Sequence, residues 1–310
     1  MEVSDMYCFI VNPKSSSSKG QQKWDIIEAE LKKHQTVYKV FFTTHAGHAS
    51  LLAADICTTY QQVTLIAVGG DGTANEVLNG IPRLEEVTFG YIPTGSSNDL
   101  ARATGIPSNP ISALNLILSP KQFLTMNICV TTAKGKSKRF FVSTGIGYDA
   151  AICHEALHSK LKNTLNKFGL GKLTYLGIAL KRLLLLKPFP VELTLDDEKV
   201  LYYPQTFFVT TMNHKYEGGG FMFCPAADCQ DDLVDICVIE AMSKRKVLGL
   251  LPSAFKGNHV KHHCVHTYRC KKVQIKTLHP QPVHTDGESY DFQDIMSVTL
   301  TDECLKFICG

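Results

Sequence analysis

Transfer of a phosphoryl group asks three things of a protein: backbone N–H groups for phosphate oxygens, an acidic side chain for a divalent cation, and a base for the attacking group. One run of this chain offers the first two together. Val68-Gly69-Gly70-Asp71-Gly72-Thr73-Ala74-Asn75-Glu76 follows a buried-strand pattern and opens a helical one. Gly69, Gly70 and Gly72 let the backbone approach a ligand closely, and the helix start behind them adds a favourable partial charge. Asp71 lies within that cradle, where a carboxylate is costly unless it holds a cation or is hydrogen-bonded. The loop matches neither G-x-x-x-x-G-K-[ST] nor G-x-G-x-x-G. Two more polar loops follow apolar runs, Asn12-Pro13 and Pro93–Asp99. Asp286-Gly287-Glu288, between two strand patterns, reads by itself as a hairpin turn bearing two carboxylates.

Four segments, in order, carry a resemblance. Gly69–Thr73 with Asn75-Glu76 resembles the nucleotide loop of the diacylglycerol kinase catalytic-domain family, which includes sphingosine, ceramide and bacterial lipid kinases. Asn12-Pro13-Lys14-Ser15 resembles its N-P-x-[SA]-G loop, Pro93–Arg102 its P-x-G-T-x-N-D-x-A-R segment, and Asp286-Gly287-Glu288 its D-G-E. The resemblance spans nearly the whole chain. It implies an ATP-dependent kinase that moves the γ-phosphate to a hydroxyl of a diacylglycerol-like or sphingoid lipid, with Mg²⁺.

Carried over residue by residue, the resemblance implies a nucleotide site of Asn12, Thr43, Gly69, Gly70, Gly72, Thr73, Asn75, Glu76, Gly95, Ser96, Asn98 and Asp99. Asp71 would organise the metal-nucleotide. Either Asp286 or Glu288 would be the general base, and the choice stays open. Arg102 is expected to lock Asp99 by a charge-assisted hydrogen bond. The segment around Asp228, Asp231, Asp232 and Asp235 resembles one that holds a structural Mg²⁺ in some bacterial members, through Asp232 and the carbonyls of Cys229 and Val234. Leu233 stands where the family has glycine, so the turn is expected to differ. Ser16 and Ser96 replace a usual glycine and threonine, and Ser16 is expected to reshape the first loop. Gly218-Gly219-Gly220 resembles a stretch lining the acceptor cleft, with a plain flexible loop as the alternative. An NAD kinase, with a similar G-G-D-G-T loop, and a catalytically silent binding protein are the competing readings. Asn75-Glu76 and Pro93–Arg102 weigh against the first, and the retained Asp71, Asp286 and Glu288 against the second.

The elements that must position these residues fall into two textures. Tyr7–Val11, Val37–Phe42, Val63–Val68 and Val87–Ile92 read as buried strands, alternating with helical patterns at Trp24, Ile27, Leu31 and at Ala49, Leu52, Ala53, Ile56. This rhythm predicts an α/β, doubly wound parallel sheet that binds ligand beyond the carboxyl ends of its strands. Alternating runs after Leu124 predict a mostly antiparallel β-sandwich. The expected domains are 1–126 for nucleotide and 127–310 for lipid, with the carboxyl-terminal segment able to return to the first.

Charge is nearly balanced, 32 basic against 29 acidic residues, so nothing in it points to nucleic acid. Eleven cysteines without paired spacing, and no basic-then-apolar leader, favour reduced thiols in a cytoplasmic protein. Leu173–Leu186 is apolar at helical intervals and edged by Lys167, Lys172, Lys181, Arg182 and Lys187. It reads as a core helix or as an amphipathic one for peripheral membrane contact. His259, His262, His263, Cys264 and His266 lack a second ligand pair for zinc and read as a polar loop before a strand. Some relatives pair, which makes a homodimer an expectation of the resemblance.

Overall fold

The computed structural model describes residues 6–60, 62–158 and 171–310. The chain divides into two compact units, Met1–Ile128 with Asp302–Gly310, and Cys129–Thr301.

The first unit alternates strands and helices: β1 (Met6–Val11), α1 (Ser15–Ser18), α2 (Gly20–Lys33), β2 (Tyr38–Phe42), α3 (His48–Thr59), β3 (Val63–Gly69), α4 (Asp71–Gly80), β4 (Val87–Pro93), α5 (Asp99–Ala103) and α6 (Pro110–Leu118). β1 pairs in parallel with β2, Phe9 opposite Val40, and with β3, Phe9 opposite Ile66; β3 pairs in parallel with β4, Ile66 opposite Gly90. Every residue of β3 is buried, which is why it reads as an unbroken apolar run rather than an alternating one. On α2, Trp24, Ile27 and Leu31 share one face and are buried, and the Trp24 ring lies 5.4 Å from Phe9 of β1. Because these strands run parallel, their carboxyl ends share one edge, and Asn12, Thr43, Gly70 and Thr94 follow there in turn.

β5 (Gln122–Ala133) carries the chain out of this unit. The second comprises β6 (Lys136–Phe140), β7 (Ser143–Gly147), α7 (Tyr148–His158), α8 (Gly171–Leu185), β8 (Phe189–Leu195), β9 (Lys199–Met212), β10 (Val234–Glu240), α9 (Lys244–Ala254), β11 (Val265–Cys270), β12 (Lys272–Thr285) and most of β13 (Glu288–Cys309). Its ladders are antiparallel, in the order β11-β10-β9-β7-β12-β13, with β8 pairing both β9 and β12. β8 alternates buried and half-buried positions, and Val191 and Leu193 join Val209, Ile236, Val273 and Ile275 in the core.

The division falls after Ile128, and the last residues belong to the first unit rather than the second. The reason lies in β13: Lys306 and Phe307 pair in parallel with Thr88 and Phe89 of β4, and the Phe307 and Phe89 rings stack at 5.6 Å. α8 buries Ile178 and Leu183 but exposes Leu184 and Leu185, so it is not a wholly buried helix; Lys167 lies outside the described residues. No described helix is long and apolar enough to cross a membrane.

Candidate active site

The three polar loops at the carboxyl edge of the parallel strands are bonded to one another. Asn12 Nδ2 donates to Thr73 Oγ1 at 3.0 Å, joining the first loop to the glycine loop. Ser15 Oγ and Thr94 Oγ1 lie 2.7 Å apart, joining the first loop to the third, and Thr94 N donates to Gly69 O at 2.7 Å. Gly70 and Gly95 touch backbone to backbone: a Cβ built on Gly95 would sit 2.6 Å from Gly70 Cα. No other residue type permits that approach, so the third-loop glycine and the second belong to one cradle.

Asp71 completes this cradle. Its carboxylate accepts N–H from Asp99 at 3.2 Å and from Leu100 at 3.4 Å, at the start of α5. Asn98, the residue before α5, makes no capping bond with its own side chain, so Asp71 serves as the cap from another loop. Burial, and then the charge of Asp71, push the Tyr91 phenol well above its ordinary range, so Tyr91 stays a neutral donor, 3.4 Å from Asp71 Oδ1. Arg102 forms an ion pair with Asp99, which is 5% exposed.

The remaining candidates of this unit divide into lining and framework. Thr43 is buried, and its N–H bonds Val11 O. Asn75 is 1% exposed and accepts from Asn79, while Glu76 accepts N–H from Ala49 near the start of α3, where it steadies a neighbouring helix. Gly72 and Thr73 lie in the first turn of α4, where the Thr73 N–H bonds Gly70 O at 2.9 Å. Ser96 and Asn98 lie in the third loop, with Asn98 in the left-handed region and donating to Gly95 O at 3.1 Å.

In the second unit, Asp286 and Gly287 form a two-residue hairpin turn between β12 and β13, closed by the pair Thr285–Glu288. Both have positive φ, the requirement of that turn type and the reason for an Asp-Gly sequence there. The Asp286 carboxylate accepts three backbone N–H groups: Phe141 at 2.9 Å, Val142 at 2.8 Å and Ser143 at 3.1 Å. Oδ1 takes two of these and Oδ2 one. Glu288 begins β13 and is half-buried.

Beneath that turn lies a cluster that sequence reading passed over. His284, wholly buried, has Nε2 3.2 Å from Asp149 Oδ2 and 3.1 Å from Glu217 Oε1. Its Nδ1 accepts N–H from Gly287 at 3.3 Å, so the ring proton belongs on Nε2, toward the carboxylates. Burial pushes the Asp149 carboxyl up against the pull of His284. Gly145 makes room: a Cβ there would stand 2.0 Å from Asp149 Oδ2.

The second acidic segment is organised by its own turns. Asp228 and Asp231 accept N–H from Gln230 and Leu233, each at 3.1 Å, and Asp231 forms an ion pair with Arg269. Asp232 takes up the left-handed region without help from a following glycine, beside buried Cys229 and Val234. Among the described residues, ligand atoms of three His, Cys, Asp or Glu side chains gather within 4.8 Å at two places, His262–Cys264 and the Asp149–Glu217–His284 cluster.

Residues 6–130 match the diacylglycerol kinase catalytic domain, and residues 142–305 match the YegS C-terminal NAD kinase beta sandwich-like domain. Over 287 residues the chain is 31% identical to the candidate lipid kinase YtlR of Bacillus subtilis, covering 90% of this chain and 92% of that protein. Over 247 residues it is 30% identical to a diacylglycerol kinase of Mycobacterium tuberculosis, covering 79% and 76%. A crystal structure of a candidate diacylglycerol kinase from Bacillus anthracis aligns with a TM-score of 0.77 over 99% of this chain and 95% of that chain, at 24% identity. That likeness speaks for the fold, two sheet-rich domains with a β-sandwich-like second one.

Proposed function

The chain belongs to the diacylglycerol kinase catalytic-domain family and is a lipid kinase with ATP as its phosphate donor, and from that premise we propose that its acceptor is the free hydroxyl of a diacylglycerol-like lipid. The names of the relatives support a glycerol-based acceptor over a sphingoid one. The observation that carries the proposal is the closure of three loops around Gly70, Asp71 and Gly95, which presents glycine backbone and a carboxylate at one strand edge. The order β2-β1-β3-β4, with α2 against α6 and α3 against α4, supports a doubly wound sheet beneath it.

In this reading the first unit binds ATP. N–H groups of the glycine loop and of the first turn of α4 receive phosphate oxygens, and Asn12, Thr43 and Ser96 border the nucleotide. Asp71 fits Mg²⁺ by its chemistry, a carboxylate being the hard oxygen ligand such a cation takes, and Mg²⁺ would neutralise the nucleotide's charge when bound. The second unit binds the lipid. A base on the Asp286–Glu288 turn takes the hydroxyl proton, and Asp286 also fixes the strand start at Phe141–Ser143.

The test is transfer of labelled γ-phosphate to a panel of dispersed diacylglycerol, monoacylglycerol, sphingosine and ceramide, with and without EDTA. Product on diacylglycerol alone, lost with EDTA and restored by Mg²⁺, is expected. Product on the sphingoid lipids alone would reassign the acceptor, and undiminished turnover in EDTA would remove the role given to Asp71.

A further inference from the structure

The end of α8 and the start of α9 are joined: Lys244 Nζ donates to Leu184 O. Leu184 and Leu185 are 70% and 63% exposed, although Ile178 and Leu183 of the same helix are buried and seat it in its unit. On α9, Lys244 and Leu248 are four residues apart and so share a face; Leu248 is 43% exposed. Lys187, Lys244 and Arg245 are exposed, and Arg245, three residues before Leu248, shares its face. Lys181 and Arg182 are already engaged with Glu155, so the cations that distinguish this face are those at 187, 244 and 245.

We propose that this face, Leu184, Leu185 and Leu248 framed by Lys187, Lys244 and Arg245, seats the protein on an anionic lipid bilayer. The proposal rests on the lipid-kinase reading for its choice of occupant, since a diacylglycerol-like acceptor resides in a bilayer. Charge complementarity supplies the rest. Leucines exposed beside several cations cost solubility in water, yet they match an interface where acyl chains take the apolar side chains and anionic head groups meet the basic ones. Each Lys or Arg held near such a surface contributes roughly fivefold in partitioning, so three together give about 100-fold between neutral and anionic vesicles. Salt should erode that difference.

The test is vesicle co-sedimentation without ATP, comparing phosphatidylcholine alone with phosphatidylcholine containing phosphatidylserine, for the wild type, Leu184→Ser/Leu185→Ser and Lys187→Glu/Arg245→Glu. The altered side chains are exposed, and unchanged circular dichroism and melting confirm the fold. Tight, salt-sensitive binding to the anionic vesicles, lost in both variants, is expected, together with wild-type turnover on a short-chain, water-dispersed diacylglycerol. Equal partitioning of the wild type onto both vesicle types, or variants that bind as the wild type does, would overturn the proposal. Self-association abolished by the same variants, without vesicle binding, would assign the face to a second copy of the chain. A protein that binds vesicles but phosphorylates no lipid would overturn the acceptor reading and leave this surface standing; active protein that ignores vesicles would do the reverse.

Discussion

The carboxylate of Asp71 caps α5 from a different loop, accepting the Asp99 N–H at 3.2 Å. A residue placed by its sequence motif at the phosphates therefore also fixes the third loop. Asp71→Asn keeps one acceptor oxygen but loses the charge, so melting should stay near wild type while turnover falls at least about 100-fold. Asp71→Ala removes the cap as well and should cost a further ~1–3 kcal/mol of stability. Thermal melts beside initial rates separate the two effects, and wild-type turnover in Asp71→Asn would rule out a cation role.

The two carboxylates of the hairpin turn differ in what else they hold. Asp286→Asn weakens the anchor of Phe141, Val142 and Ser143 and is expected to lower both turnover and unfolding free energy, the latter by ~1–3 kcal/mol. Glu288→Gln is expected to leave stability unchanged and to lower turnover, by about 10²–10⁴-fold if it is the base. ATP affinity measured by calorimetry should survive in both. Wild-type rates in the two variants together would remove the base from this turn.

His284 is a positioning residue by its contacts: carboxylates on one side, the Gly287 N–H on the other. His284→Gln retains a donor toward Asp149 and Glu217 but loses the acceptor for Gly287. Its kcat should fall while KM for ATP and for lipid hold. His284→Phe takes the imidazole from buried Asp149 and half-buried Glu217, leaving the Ala150 N–H on the one and Thr210 Oγ1 on the other, and should cost ~3–5 kcal/mol in chemical denaturation. An unchanged kcat in the glutamine variant would make the cluster purely structural.

How much of this was legible in sequence depended on how contiguous it was. Gly69–Thr73 announces itself because the glycines, the acid and the helix start are neighbours, and Asn12 and Pro93–Asp99 follow because parallel strands bring their carboxyl ends to one edge. Asp149, Glu217 and His284 were not legible, being far apart in sequence and joined only by the pairing of β7 with β9 and β12. Each looks alone like one polar residue in an apolar neighbourhood, and Gly145, which makes their room, looks like any strand glycine. That Asp71 and Glu76 accept N–H groups at the starts of other helices also needs three dimensions. Ser16 is instructive in the other direction: it stands at φ 54°, so the chain retains the left-handed geometry natural to glycine and accepts some strain. The sequence allows the return of Asp302–Gly310 to the first unit but does not name its partner there, since Leu305, Phe307 and Ile308 are too short an apolar pattern to reveal β4.

His214 gives the second unit a pH dependence. It is buried, and desolvation lowers its pKa to about 4 from the usual 6.5. The unfolded chain takes up a proton below pH 6.5 and the folded chain does not, so the stabilisation present above that value is lost as pH falls toward 4. The loss should approach about 3 kcal/mol. Denaturation midpoints at pH 7, 5.5 and 4.5 should fall in the wild type and fall less in His214→Gln; parallel declines would show that another group titrates.

The most direct measurement is the initial rate of γ-phosphate transfer from Mg²⁺-ATP to dispersed diacylglycerol and, side by side, to NAD. Labelled lipid product with no NADP is the result the structure and its family predict. NADP formed with no labelled lipid would contradict it.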